Sequence, residues 1–234
     1  LIKSVRQEMQ ASIQSGGTGT PDISVLTLSG GGNHGAFGAG FMNGWTQSGT
    51  RPKFKFVTGV STGALIAPFA FLGREYDDRL KQGFTTIGAE DIYKERGISA
   101  LWSDSLVDSE PLKRLIKKYY DQGIFLAVAQ AHRKGRRLYI GTTHMDADRL
   151  VIWNRGAIAN SGHPQALILF RKIILASTSI PLTFPPVLID VTADGVTYDE
   201  MHVDGGVSAQ LFLSAATINI AKIRQQLGLP KPSK

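Results

Sequence analysis

The stretch Phe54–Leu72, FKFVTGVSTGALIAPFAFL, decides how the chain is read. Its first part, Phe54 to Val60, is rich in apolar and β-branched residues, the composition of a buried strand. Its last part, Ala64 to Leu72, is an apolar run that reads as a helix, with Pro68 expected to kink it. Between them, Gly59-Val60-Ser61-Thr62-Gly63 matches G-x-S-x-G. Glycines on both sides of a serine permit a tight strand-to-helix turn that lifts the hydroxyl above the sheet. The start of the helix adds amide N–H groups and the positive end of its dipole, both favouring negative charge that develops at the serine. Ser61 is therefore the candidate nucleophile, and Gly59 and Gly63 form its elbow.

A similar unit precedes it. Ile23 to Leu28 reads as a strand, Gly30-Gly31-Gly32-Asn33-His34-Gly35 as a glycine loop and Ala36 to Trp45 as a helix. The loop also fits G-x-G-x-x-G, but dinucleotide binding calls for an acid about 20 positions on. The region Pro52 to Phe56 offers only Lys53 and Lys55, and no Gly-Lys-Ser/Thr follows to make a phosphate-binding loop. Three consecutive glycines ahead of an elbow suit an oxyanion hole instead, because unblocked amides must approach a tetrahedral intermediate closely. Gly30, Gly31, Gly32 and Gly35 are the candidates.

Helices are expected near Asp77 to Ile87, Glu110 to Tyr120 and Pro164 to Ala176. Strands are expected at Arg137 to Thr142, Leu150 to Trp153 and Val187 to Val191, and Gly195 sits in a hairpin turn leading to His202-Val203. The alternation predicts an α/β fold with a largely parallel central sheet flanked by helices. Leu1, Val5, Met9 and Ile13 predict a short leading helix, closed by the flexible run Ser15 to Pro21. Residues 1–22 are thus read as an appendage and 23–234 as one catalytic-sized domain.

The remaining partner is a base, and an α/β-hydrolase would place its acid and then its histidine after the serine. His202 is the last histidine, and Asp204-Gly205-Gly206 follows two residues on, so His202 and Asp204 face one side if Val203 lies in a strand. Two readings follow: a Ser61–Asp204 pair, or a Ser-His-Asp set of Ser61, His202 and one of Asp146, Asp148 or Asp190.

Together the loop Gly30–Gly35, the elbow Gly59–Gly63 and the triplet Asp204-Gly205-Gly206 resemble the patatin-like phospholipases in order and spacing, over about Ile23 to Ser208. The resemblance implies a three-layer α/β/α lipid acyl hydrolase with a serine–aspartate dyad and no metal or organic cofactor. Ser61 would be the nucleophile, Asp204 the base, and the amides of Gly31 and Gly32 the main oxyanion donors. Ala176 to Val187, with Ser177, Ser179, Pro181 and Phe184-Pro185-Pro186, is similar to the family's proline-bearing loop. One departure is His34, where many members carry Lys or Arg. The family also usually continues beyond the aspartate motif, so further chain is expected after Lys234.

The 234 residues carry no cysteine, which removes thiolate chemistry and cysteine-based metal sites, and 42% are hydrophobic, enough for one large core. The net charge of +7 is concentrated. Between Pro111 and Ile140 lie eight Lys and Arg against the single acid Asp121, and the rest of the chain balances. Such a segment suits anionic lipid headgroups, giving an expectation of peripheral membrane contact alongside a phospholipid or other lipid ester substrate. Leu112, Leu115, Ile116, Tyr119 and Tyr120 recur between the bases at helical spacing, so an amphipathic helix with its cations outward is the simpler account. No aromatic nucleic-acid motif accompanies the charge, and no nucleic-acid partner is expected. The apolar runs are too short to span a bilayer, which takes roughly 18 to 20 residues. The start at Leu1 leads to the expectation that a signal or anchor segment was removed, and the compartment is left open.

Overall fold

The structure, a computed structural model, describes residues 23–86, 94–95 and 107–212, together with Gln10 and Gln14. The expected leading helix and linker therefore lie outside the described residues, apart from Gln10 and Gln14, which are helical.

A six-stranded mixed sheet is built from β1 (Val25–Leu28), β2 (Phe56–Val60), β5 (Arg137–His144), β6 (Arg149–Asn154), β7 (Val187–Ala193) and β8 (Val196–Asp204). Two short strands, β3 (Lys94–Glu95) and β4 (Val107–Asp108), form a separate antiparallel pair. The α/β reading holds, but the sheet is parallel only across β1–β2–β5. Strands β6 and β8 both run antiparallel to β5, and β7 runs antiparallel to β8. The reason lies in the connections. Short links such as Asp194-Gly195 (φ 51° and 78°) return the chain directly as a hairpin, whereas parallel neighbours need a helical crossover.

Strand β5 organises the sheet. One of its edges pairs with β6 from Tyr139 to His144. The other pairs first with β2, ending at Val60 opposite Gly141, and then with β8, ending at Asp204 opposite Thr142. Because β2 is parallel and β8 antiparallel to β5, their C-terminal ends meet head to head along one edge. Ser61 and Asp204 are thereby brought together across 143 positions of sequence.

The helices are α1 (Gly35–Gln47), α2 (Thr62–Leu72), α3 (Asp77–Thr85), α4 (Glu110–Tyr119), α5 (Gln122–Arg133), α6 (Arg155–Ala159) and α7 (Ala166–Ser177). Helix α2 is continuous through Pro68 and almost wholly buried, as its unbroken apolar sequence requires. Its side chains join Val57, Leu138 and Ile140 of the sheet and Ile124, Val128 and Phe170 of the other helices in one core. On the opposite face Thr58 Oγ1 donates to the Phe212 carbonyl at 3.0 Å. Helix α5 was not expected from the sequence. It starts at Asp121, whose carboxylate accepts the Ile124 N–H at 3.0 Å.

The basic segment is less uniform than its composition suggests. Lys113, Arg114, Lys117 and Lys118 project from α4, and Arg133 and Lys134 from the end of α5. Arg136 turns inward, where Nε donates to the Phe54 carbonyl at 2.8 Å, a terminal nitrogen reaches the Phe71 carbonyl, and the guanidinium lies 4.3 Å from the Phe71 ring centre. Burial lowers its pKa to about 10. Arg137 donates to the carbonyls of His132 and Arg136. Six of the eight bases therefore face solvent.

Candidate active site

Ser61 occupies the elbow between β2 and α2 at φ 53°, a conformation a residue with a side chain rarely adopts. Close packing of strand against helix holds it there. A Cβ on Gly59 would sit 2.5 Å from the Gly63 carbonyl oxygen, and one on Gly63 would land on the carbonyls of Leu28 and Ser29 at the end of β1. Both elbow positions thus accept only glycine. The Ser61 N–H donates to Ser177 Oγ at 3.0 Å, and that hydroxyl donates to the Gly141 carbonyl at 2.7 Å. Ser177 is fully buried at the end of α7 and ties the elbow to β5.

Ser61 Oγ donates to Asp204 Oδ2 at 2.5 Å. The other carboxylate oxygen accepts the Gly206 N–H at 2.7 Å. The backbone of Asp204 is fixed on both sides: its N–H donates to the Ser179 carbonyl at 2.8 Å and its carbonyl accepts from Thr143 Oγ1 at 3.0 Å. A Cβ on Gly205 would stand 2.5 Å from the Gly141 carbonyl oxygen, so the turn after Asp204 presses against β5. Burial pushes the Asp204 carboxyl above the usual carboxylate range, opposed by the hydrogen bonds from Ser61 and Gly206. A carboxylate held this way is a stronger base than one in water.

The glycine loop reaches the same point from β1. A Cβ on Gly30 would lie 2.9 Å from Ser61 Cβ, so this is where loop backbone and serine touch. Gly32 (φ 52°) opens a 3-10 turn, Gly32–His34, and its carbonyl accepts from Thr62 Oγ1 at 3.0 Å. The first amides of such a turn have no partner within it. Gly35, the last glycine of the expected oxyanion set, has its amide engaged within the turn. Its N–H bonds to the Gly32 and Asn33 carbonyls, and a Cβ there would run into Thr62 Cγ2, so its smallness serves loop–elbow packing. His34 is exposed, with its N–H on the Gly31 carbonyl at 3.0 Å.

His202 makes its ring hydrogen bonds to Thr142 and Glu200. Although fully buried two residues from Asp204, its Nδ1 lies 2.9 Å from Thr142 Oγ1 and its Nε2 3.1 Å from Glu200 Oε2. Trp153 Nε1 donates to the same Thr142 oxygen at 2.8 Å, leaving that hydroxyl's proton for Nδ1 and the Nε2 proton for Glu200. Burial lowers the His202 pKa, against the opposing effect of Glu200. Asp146, Asp148 and Asp190 are all exposed, and Asp146 stands by His144 at 3.6 Å. The Ser-His-Asp arrangement is not assembled.

A cavity of about 450 Å³ opens at Ser61, Thr62 and Gly32. Away from them its walls are mostly apolar, with Leu65 and Phe69 from α2, Leu80 and Phe84 from α3, and Leu112 and Leu115 from α4. The Tyr120 hydroxyl, on the same lining, is satisfied by the Leu65 carbonyl at 2.6 Å. Among the described residues no group of three or more His, Asp and Glu side chains converges to hold a metal ion, and no helix is long and apolar enough to cross a membrane.

No curated protein matches the sequence. Among solved structures the chain is similar to VipD from Legionella pneumophila, at 12% identity over 83% of this chain and 48% of that one, with a TM-score of 0.49. It therefore spans about half of that protein's length. The sequence pattern of the patatin-like phospholipases matches residues 26–217, a range that takes in the glycine loop, the elbow and the turn after β8. With most of its length accounted for in this way, the chain belongs to the patatin-like phospholipase family.

Proposed function

We propose that the protein is a serine lipid acyl hydrolase, cleaving carboxylic ester bonds of phospholipids or related lipids through Ser61 and Asp204. One observation carries the reading: the Ser61 hydroxyl already donates to the Asp204 carboxylate, at 2.5 Å, where an apolar cavity begins. Asp204 Oδ2 takes the Ser61 proton as Oγ bonds to the ester carbonyl carbon, and the carbonyl electron pair moves onto oxygen. The Gly31 and Gly32 amides stabilise that oxyanion, aided by the N-terminus of α2. Collapse expels the alcohol, which takes the proton from Asp204, and leaves an acyl-Ser61 ester. Water then attacks this ester, with Asp204 again the base, and releases the fatty acid.

A lipid substrate is supported by the family and by the cavity. At roughly 30 Å³ per water-sized group, 450 Å³ holds about 15, the scale of a single acyl chain. Phe37 and Leu182, 78% and 80% exposed, neighbour the cavity-lining residues Ala36 and Thr183, as suits contact with a lipid surface. The outward bases of α4 belong to the same reading as a peripheral membrane contact.

Labelling with a long-chain fluorophosphonate, read by intact mass, tests it. Native protein is expected to gain one adduct, Ser61→Ala none, and Asp204→Asn to label far more slowly. Folded native protein that gains no adduct would refute the hydrolase and leave a silent membrane-binding module.

A further inference from the structure

A second groove, of about 620 Å³, lies on the other side of helix α4. It runs between α4, α7 and the start of β7, and Ile116 is common to its lining and that of the acyl cavity. Four cations stand around it, Lys113 and Lys117 from α4 and Arg171 and Lys172 from α7, and among the described residues no carboxylate lines it. The clustering is tertiary, since Arg171 and Lys172 lie outside the basic segment visible in the sequence.

Among the described residues only Lys113 of these cations meets a carboxylate. Arg171 Nε donates to the Tyr120 carbonyl at 2.9 Å, using one of five donors, and Lys172 Nζ donates to the Leu188 carbonyl at 3.1 Å. Both acceptors are neutral and fix the side chains at the groove. Lys113 meets Glu110 at 2.6 Å, but both side chains are about half exposed, and such a pair exchanges readily for a better anion. Among the cations sit two large aliphatic side chains, Ile168 and Leu188, 56% and 48% exposed. Aliphatic surface beside a ring of cations matches an anion that carries hydrocarbon. Among the described residues the lining has no aromatic side chain on which a nucleic-acid base could stack.

We propose that this groove is an accessory lipid site that takes the phosphate of an anionic phospholipid in a membrane surface, apart from the acyl cavity. Lys113, Lys117, Arg171 and Lys172 surround the phosphate, and Ile168 and Leu188 lie against the start of its acyl chains. The occupant is held rather than hydrolysed, because Ser61 opens onto the other cavity. The site does not depend on the hydrolase reading and is measured without turnover.

The test is co-sedimentation of the full chain carrying Ser61→Ala with phosphatidylcholine vesicles, with and without phosphatidylglycerol. Each Lys or Arg at an anionic leaflet is worth about a fivefold change in partition. Lys117→Gln with Lys172→Gln should therefore weaken binding to phosphatidylglycerol vesicles about 25-fold. Lys53→Gln with Arg74→Gln, two exposed cations on a different groove, should leave it within about threefold. Ile168→Ser with Leu188→Ser should weaken the binding that persists at high salt, where charge attraction is screened. Melting curves verify that each variant folds. Equal losses in the two charge pairs would overturn the site in favour of diffuse attraction. So would no preference for anionic vesicles, or full displacement by inorganic phosphate, which would make it a free-anion site.

Discussion

Replacing Ser177 with alanine isolates the support beneath the nucleophile. The Ser177 hydroxyl is the acceptor for the Ser61 N–H and a donor to the Gly141 carbonyl, in a place with no solvent access. Alanine removes it without adding bulk and takes away the acceptor of the Ser61 N–H. A buried orphan of this kind costs about 1–3 kcal/mol, and the lost bond to Gly141 adds about 0.5–1.5 kcal/mol. A sum near 3 kcal/mol corresponds to a fall of about 6–12 °C in Tm for a chain of this length. Activity should suffer separately, because the strained φ of Ser61 persists only while its surroundings enforce it. Small misplacement of a reacting group costs on the order of 100-fold, so kcat on a soluble long-chain ester should drop by about 10- to 100-fold with KM little changed. Ser179→Ala is the matched control. Its hydroxyl is equally buried but bonds only back to the Leu175 carbonyl at 2.9 Å, so its loss should cost under about 1.5 kcal/mol and leave kcat within about threefold. Equal melting temperatures and equal kcat for the two variants would refute the claim that Ser177 braces the elbow.

Three further outcomes follow from the same geometry. The raised Asp204 pKa means that the folded state binds its proton more tightly than the unfolded chain, so stability falls as pH rises from the unfolded value, about 3.9, through the folded one. Asp204→Asn, whose amide still meets Ser61 and Gly206, should melt higher than native protein near neutral pH, with the gap closing below pH 4, while the acid limb of native kcat/KM lies above that of an ordinary carboxylate. His202→Gln should retain activity within about threefold, since its ring serves Thr142 and Glu200; a loss as deep as that of Asp204→Asn would restore the triad. Gly35→Ala should destabilise by about 1–3 kcal/mol through its clash with Thr62 Cγ2, and adding Thr62→Ser, which removes that methyl and keeps the hydroxyl, should recover part of the lost Tm.

The local motifs were legible because each is a short-range steric requirement. Gly59 and Gly63 flank the serine since no larger residue fits between β2, α2 and the end of β1, and Gly205 follows the aspartate because β5 leaves no room for a side chain. The hairpin at Gly195 was readable for a similar reason, a pair of left-handed residues. Helix α5 is also signalled, by the Asp121 cap and the apolar spacing of Ile124, Phe125, Val128 and Ala129.

What tertiary structure alone decided was pairing. Whether His202 or Asp204 faces Ser61 depends on where β8 ends against β5, and residues two apart on a strand look alike to any pattern. Ser177 could be noted but not assigned, because its partners lie 116 and 36 positions away. Composition placed eight bases in one segment, yet the fold withdraws Arg136 to the Phe54 and Phe71 carbonyls and gathers Arg171 and Lys172 beside α4. Sequence determines what a residue and its near neighbours can tolerate; contacts between distant segments follow from how the sheet closes around β5, where one strand edge brings the ends of β2 and β8 together.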